Sequence, residues 1–473
     1  MALISSRNEE STYEGPTSKY AQYAGVFAAT LAAFSIGTYL SWTSSALPLY
    51  NKNDTLSVSD QEASWISSMV PLGAIPIIIP AGILADKFGR KRTIWAITVP
   101  LFLCWYIIGF ARSKIWIFLG RFVAGAASGA ASVVVPMFTS EIVEQSIRGL
   151  LGTIFQLQLT AGILFAYATA FTDSLYVIAI LCSVVPALLL ISFPFVPESP
   201  AWLVMQGRKI EANDVLKHFR GAHYRTETEL TRLELQASEM REAKASIFHL
   251  RNYQKMTWIT LGLIIFQQLS GVNALIFYAK KIFDDADSIL NSSISSVNVG
   301  VVQVVATYYS TILIERSNKK LLLFISMSVM ATCMFILSGY FHFQNSHDVS
   351  SVSWIPLLSF AVFIMIFNIG LGPIPWLMVD NLFTNNVKRT ASAATAICNW
   401  TLAFLVTKCF QDMVNLMGFS SSFATFGMIS LIGTVFVSTL VPEMKQMGRN
   451  VEETQIELYG MQIRTPRETD PEI

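Results

Sequence analysis

Val70-Pro-Leu-Gly-Ala-Ile-Pro-Ile-Ile-Ile-Pro-Ala-Gly-Ile-Leu-Ala-Asp-Lys-Phe-Gly-Arg-Lys-Arg92 carries no charge as far as Ala85, then places five charges between Asp86 and Arg92. Hydrocarbon tolerates the first part, and a basic cluster at its end marks the edge of a bilayer and the side on which a loop lies. The pattern recurs along the chain. Apolar stretches fall at roughly 23–47, 63–84, 93–111, 115–138, 150–171, 175–196, 256–279, 295–314, 320–341, 354–379, 391–411 and 420–441. A spanning helix needs about 20 apolar residues, because lipid satisfies no open backbone group. Composition agrees: 53% of residues are hydrophobic and 14% charged, with a mean hydropathy of +0.49. Soluble domains carry about a quarter charged residues. A net charge of +1 argues against a nucleic-acid partner. The five cysteines all fall in apolar stretches and read as small packing residues, neither a disulfide framework nor a metal site.

The expected fold is an all-α membrane protein with twelve transmembrane helices in a 6+6 arrangement and a helical linker. Its parts are an N-terminal segment (1–22), a six-helix bundle (23–197), a linker (198–255), a second six-helix bundle (256–441) and a tail (442–473). The N-terminal segment is polar and lacks the pattern of a secretory signal. The linker has Glu, Lys and Arg at helical spacing, which predicts short amphipathic helices.

Orientation follows from Lys and Arg in short loops. Lys87, Arg90, Lys91 and Arg92 follow the second span, and Arg316, Lys319 and Lys320 the eighth; alternate loops are poorer. Both termini and the linker are therefore expected in the cytoplasm. The sequons at Asn53 and Asn291 then fall outside as candidate glycosylation sites. The halves also echo one another. Asp86…Arg90-Lys91 follows the second span as Glu315…Lys319-Lys320 follows the eighth, as expected for parallel repeats that rock about a central site.

At these residues the chain resembles the sugar porters of the major facilitator superfamily over nearly its whole length. The matching pieces are Gly82-Ile-Leu-Ala-Asp-Lys-Phe-Gly-Arg-Lys91, Gly120-Arg121, Glu141…Arg148-Gly149, Pro197-Glu-Ser-Pro200, Gln267-Gln-Leu-Ser-Gly-Val-Asn273, Gly372-Pro-Ile-Pro-Trp376 and Pro442-Glu443. Gly37-Thr-Tyr-Leu-Ser-Trp-Thr-Ser-Ser-Ala-Leu-Pro48 and Ser64-Trp65 look like the insect facilitated trehalose transporter group.

A neutral, hydroxyl-covered sugar needs uncharged groups that donate and accept, and Gln, Asn and Trp supply them. The resemblance implies sugar contacts at Gln156, Gln267, Gln268, Asn273, Gln303, Trp376, Asn399 and Trp400, with Gln303 standing where an Asn is usual. Gln268 and Asn273 would lie about 140° apart on a straight helix. A break at Ser270-Gly271 is therefore expected to re-aim Asn273, and Gly370-Leu-Gly-Pro-Ile-Pro375 offers a similar break before Trp376. The competing reading makes these amides interhelical glue. For Gln158 and Asn368 packing is the expectation.

The resemblance also implies a cytoplasmic gate from Asp86, Arg90, Lys91, Glu141, Arg148, Glu198, Glu315, Arg316 and Lys388, an ion-pair network that closes the inner side. The second half departs from the family pattern, with Asn318 replacing a Gly, Asn381 a Glu and Lys388 an Arg, and at the start of the linker Ala201 replaces an Arg. Lys lacks the bidentate fork of Arg, so the outward-facing state is expected to be weakly latched.

Proton coupling needs a titratable carboxylate in the membrane. The first span has none, and Gly37 stands where related symporters carry an Asp. With no ATP-binding loop of the Gly-x-x-x-x-Gly-Lys-Ser/Thr type, the expected function is facilitative uniport of a hexose or trehalose at the plasma membrane. Such a protein is not an enzyme and has no catalytic residues, metal or cofactor. Its partners are the sugar and the lipid bilayer, with no obligate protein partner. A proton-coupled symporter and a sugar receptor that hardly transports are the alternatives.

Overall fold

The computed structural model describes residues 18–51, 56–172, 174–242, 254–288, 290–383 and 385–443. Of 51, 239–242, 254–255, 315, 380–382 and 385–389 it describes the backbone alone. Among the described residues all regular structure is helical. The first half comprises α1 (Tyr20–Asn51), α2 (Asp60–Ala74), α3 (Ile78–Phe88), α4 (Arg90–Gly109), α5 (Lys114–Ile142), α6 (Arg148–Ala168) and α7 (Leu175–Ser192). A 3-10 turn at Ile75–Ile77 fuses α2 and α3 into one crossing. Three short helices follow, α8 (Pro200–Met205), α9 (Lys209–Arg220) and α10 (Glu227–Glu242). The second half comprises α11 (Gln254–Leu269), α12 (Val272–Asp285), α13 (Ser292–Arg316), α14 (Lys319–Gln344), α15 (Ile355–Ile369), α16 (Ile374–Leu382) and α17 (Asn385–Leu440). The pairs α11–α12 and α15–α16 are broken single crossings.

Among the described residues eleven segments are long and apolar enough to cross a membrane, and the last, Thr390–Leu440, has 51 residues. At 1.5 Å per residue it would run about 77 Å, far beyond a hydrocarbon layer of about 30 Å. It does not run straight. Gly418 takes φ 77°, ψ 168°, outside helical space. Phe410 and Phe426 lie with ring centroids 6.1 Å apart, whereas 16 residues of straight helix would separate them by about 24 Å. The segment therefore folds back on itself, and the described residues make twelve crossings in two sets of six. Both described ends fall on one face, here the terminal face; the opposite one is the far face.

Small residues let the first-half helices touch backbone to backbone. A Cβ on Gly73 of α2 would collide with the Phe122 carbonyl of α5, and one on Gly125 of α5 with the Val70 carbonyl of α2. Between α1 and α6, Ser41 donates to the Ile163 carbonyl at 3.2 Å and Ser45 to the Ala166 carbonyl at 2.8 Å. In the second half aromatic rings do more of the packing, with Phe341 stacked on Phe419 at 4.8 Å. Each half has its own apolar core, and Leu40, Leu47 and Leu159 pack against both.

The short helices are tied to the first half. Buried Arg220 donates to the Ile142 carbonyl at 2.7 Å and pairs with Glu229 at 2.7 Å. Gln22 of α1 donates to the Phe219 carbonyl at 3.1 Å, and Trp202 Nε1 to the Asp86 carbonyl at 2.8 Å.

Candidate functional site

The α11–α12 crossing breaks because Gly271 sits in the left-handed region at φ 87°. The turn brings Asn273 round to donate to Gln268 Oε1, while Gln268 Nε2 donates to Asn399 Oδ1. Three amides from α11, α12 and α17 thus form one hydrogen-bonded chain. A second break, between α15 and α16, is stitched to the first. Gln267 Nε2 donates to the carbonyls of Leu371 and Gly372 at 2.7 and 2.8 Å. Gln267 Oε1 and Gln303 Oε1 are buried acceptors without a hydrogen-bond partner. An orphaned buried amide oxygen costs roughly 1–3 kcal/mol, a cost that a donating ligand hydroxyl would relieve.

The remaining sugar candidates are more scattered. Gln156 lies half-buried on α6, and Trp376 is 37% exposed on α16. Trp400 packs into the first-half core from α17. Gln158 is buried, and Asn368 donates to the Ile364 carbonyl at 2.8 Å and accepts from Thr307 at 3.3 Å, both contacts within the second half.

At the terminal face five gate candidates come together. Arg90, with only 2% of its side chain exposed, holds Glu141 through Nε (3.0 Å to Oε2) and Nη2 (2.9 Å to Oε1), and Asp86 at 3.2 Å. Glu141 also accepts from Ser199 Oγ. Glu198 accepts from the backbone N–H groups of Lys91 and Ser199, both at 2.9 Å, and Lys91 Nζ donates to the Pro194 carbonyl at 2.6 Å. All these residues belong to the first half or to the start of the linker, so the cluster braces one half internally. Arg148 stands apart: it is exposed and reaches the Val143 carbonyl at 3.5 Å. Arg316 is exposed at the end of α13. The side chains of Glu315, Asn381 and Lys388 lie outside the described residues, as does Asn53. Asn291 is exposed and caps α13, accepting from the Ser293 N–H at 2.9 Å.

Two features went unread as sites. The first is Arg121 on α5, fully buried, which donates to the carbonyls of Tyr39 (2.5 Å), Ile66 (3.2 Å) and Ser67 (3.5 Å) and lies 5.1 Å from the Trp42 ring. A lone Arg in an apolar run was the available signal. The α1 residues that meet it are Tyr39 and Trp42; Gly37 abuts the Leu159 carbonyl of α6 instead. The second is a set of contacts that joins the halves at the far face. Thr43 donates to the Phe277 carbonyl at 3.2 Å, Lys280 N–H to Ser44 at 3.0 Å, Tyr167 to the Ile276 carbonyl at 2.8 Å, and Lys281 to Asp60 at 3.2 Å. These contacts hold the two halves together at the far face.

Two six-span halves, meeting around broken helices that carry uncharged amides, define a two-half membrane transporter. Residues 20–457 match the family described as "Sugar (and other) transporter", and the chain belongs to that family. It is 36% identical to the facilitated trehalose transporter Tret1 of Polypedilum vanderplanki over 93% of this chain and 88% of that protein. It is 32% identical to the Tret1 of Bombyx mori over 95% of this chain and 90% of the relative. Against the Tret1 of Drosophila virilis it is 35% identical over 93% of this chain, which spans 49% of that longer protein. Among solved structures, the xylose transporter XylE from E. coli, in a partially occluded inward-open conformation, superposes with a TM-score of 0.75. That superposition covers 90% of this chain and 98% of XylE at 21% identity, a likeness of fold.

Proposed function

We propose that the protein is a facilitative uniporter of a neutral sugar, trehalose first and a hexose second, working by alternating access with both termini in the cytoplasm of the cell that carries it in its plasma membrane. The observation that carries this reading is the amide chain Asn273–Gln268–Asn399 at the helix break, with orphaned acceptors at Gln267 and Gln303. Such groups recognise hydroxyls and offer no charge to a charged substrate. The names of the relatives favour trehalose. Uniport is favoured by the surroundings of Arg121. Its hydrogen bonds go to backbone carbonyls, which do not titrate, and α1 contains no acidic residue.

Tracer uptake into proteoliposomes, with trehalose and glucose in parallel and with or without an imposed proton gradient, tests this. Saturable entry that ignores the gradient, with exchange in both directions, supports a uniporter. Gradient-driven accumulation makes it a symporter, and saturable binding without entry makes it a receptor.

A further inference from the structure

The acidic start of α2 is shared between the two halves. Ser59 and Glu62 form a capping box that fixes the first turn, and Glu62 pairs with Lys114 of its own half at 2.8 Å. Asp60, held on the same turn, points the other way and pairs with Lys281 of α12 at 3.2 Å. Lys281 also donates to Gln411 of α17 at 3.0 Å, and Gln411, itself 2% exposed, donates to Asn415 at 3.0 Å. One turn away Lys408 of α17 lies 5.1 Å from the centre of the Trp65 ring of α2 and pairs with Asp412 at 3.2 Å. Phe404 of α17 packs on the same ring at 6.3 Å. Two second-half lysines, each oriented by a partner in its own half, thus engage two first-half residues five positions apart.

We infer that Lys281–Asp60 and Lys408–Trp65 form a two-point charge lock that weights the resting protein toward the state with its far side closed. The reasoning is one of linkage. Glu62–Lys114 lies within one rigid half and survives any movement between halves, so it contributes equally to every state. Asp60–Lys281 and Lys408–Trp65 join the halves, so their free energy exists only while the far side is shut. A contact present in one state shifts the equilibrium by its own worth. Exposed ion pairs and cation–π contacts are weak beside a folding free energy, but alternating access needs its two end states nearly balanced, and there a weak contact counts. The lock rests on the alternating-access reading above and adds to it a resting bias and the residues that set it.

The test uses purified full-length protein in lipid nanodiscs without sugar, so that it needs neither transport nor a known orientation. Leu47→Cys places a thiol at the seam between the halves, in a background with Cys398→Ser and Cys409→Ser, the two native cysteines that are not buried. Its rate of reaction with a polar maleimide reports opening of the far side. Asp60→Asn and Lys281→Gln are each expected to raise that rate about two- to fivefold, and Lys281→Gln with Lys408→Gln about tenfold. The exchange Asp60→Lys with Lys281→Asp should return it to within about twofold of the parent. Lys114→Gln, which breaks the pair inside one half, should leave it unchanged. Unchanged rates in the single variants overturn the lock. So do raised rates that the exchange fails to reverse, or an equal rise in Lys114→Gln, since either would mean general loosening. Loss of sugar uptake with the labelling pattern intact would sink the uniport reading and leave the lock standing.

Discussion

The guanidinium of Arg121 donates to the backbone carbonyl of Tyr39 at 2.5 Å and so joins α5 to a helix that has no acidic residue. A buried cation is normally paired with a carboxylate, because its desolvation costs several kcal/mol. Here carbonyls of α1 and α2 share that task, and the cation becomes a tie among three helices. Arg121→Lys keeps the charge but not the planar fork. It should lower stability by about 2–4 kcal/mol, since each charge-assisted hydrogen bond is worth about 1.5–3. Thermal unfolding of the purified protein, followed by intrinsic fluorescence, measures this; an unshifted melting temperature would remove the tie.

Gly271→Ala strikes the break in the α11–α12 crossing. A Cβ there would come within 2.7 Å of the Phe426 ring on a backbone at φ 87°. The strain should cost about 1–3 kcal/mol and displace Asn273 from Gln268. Sugar uptake should fall at least tenfold while far-ultraviolet circular dichroism stays that of an all-helical protein.

Gln268 is the middle member of the amide chain, so its truncation strands both neighbours. Gln268→Ala should weaken trehalose or glucose binding by about tenfold, the equivalent of 1.4 kcal/mol. Asn368→Ala removes contacts made within the second half and should lower the melting temperature with the binding constant unchanged. Equilibrium binding on the two variants separates the roles. Equal losses of affinity would place Asn368 in the site as well.

The acceptors Gln267 Oε1 and Gln303 Oε1 demand donors. Fluorine accepts but does not donate, so a sugar with fluorine in place of a recognised hydroxyl should bind about two- to tenfold more weakly. A panel of monodeoxyfluoro sugars, competing against the parent for uptake, should show this loss at two or more positions. Uniform affinity across the panel would mean that these oxygens meet no substrate hydroxyl.

Glu141→Ala leaves the nearly buried Arg90 with Asp86 and the Ala85 carbonyl as its remaining partners. Because the cluster lies within one half, the expected effect is on stability: a loss of about 2–4 kcal/mol. The thermal melt again reads it. A variant of parental stability that shifts between inward and outward states would return these residues to the role of a gate between halves.

The twelve crossings were legible because each is a local property, a run of apolar residues that ends in turn residues or charge. Gly271 was legible for the same reason, as a glycine between two amides that a straight helix would hold apart. The stitch from Gln267 to the Leu371 and Gly372 carbonyls was not, since a backbone carbonyl has no signature in sequence. Arg121 was visible as an isolated charge, yet its hydrogen-bond partners are again carbonyls. Asp60 and Lys281 lie 221 residues apart. Each reads alone as an ordinary charge at a helix end, and only the docking of the halves makes them a pair.

Leu40, Leu47 and Leu159 belong to both apolar cores at once. Attraction between hydrocarbon surfaces is non-directional and has no preferred register. The seam therefore works like a greased bearing: it carries load while leaving the angle between the halves free. The polar groups at the far rim act as the stop. Enlarging or trimming Leu40 or Leu159 should then change how fast the halves turn, while the stop decides where they come to rest.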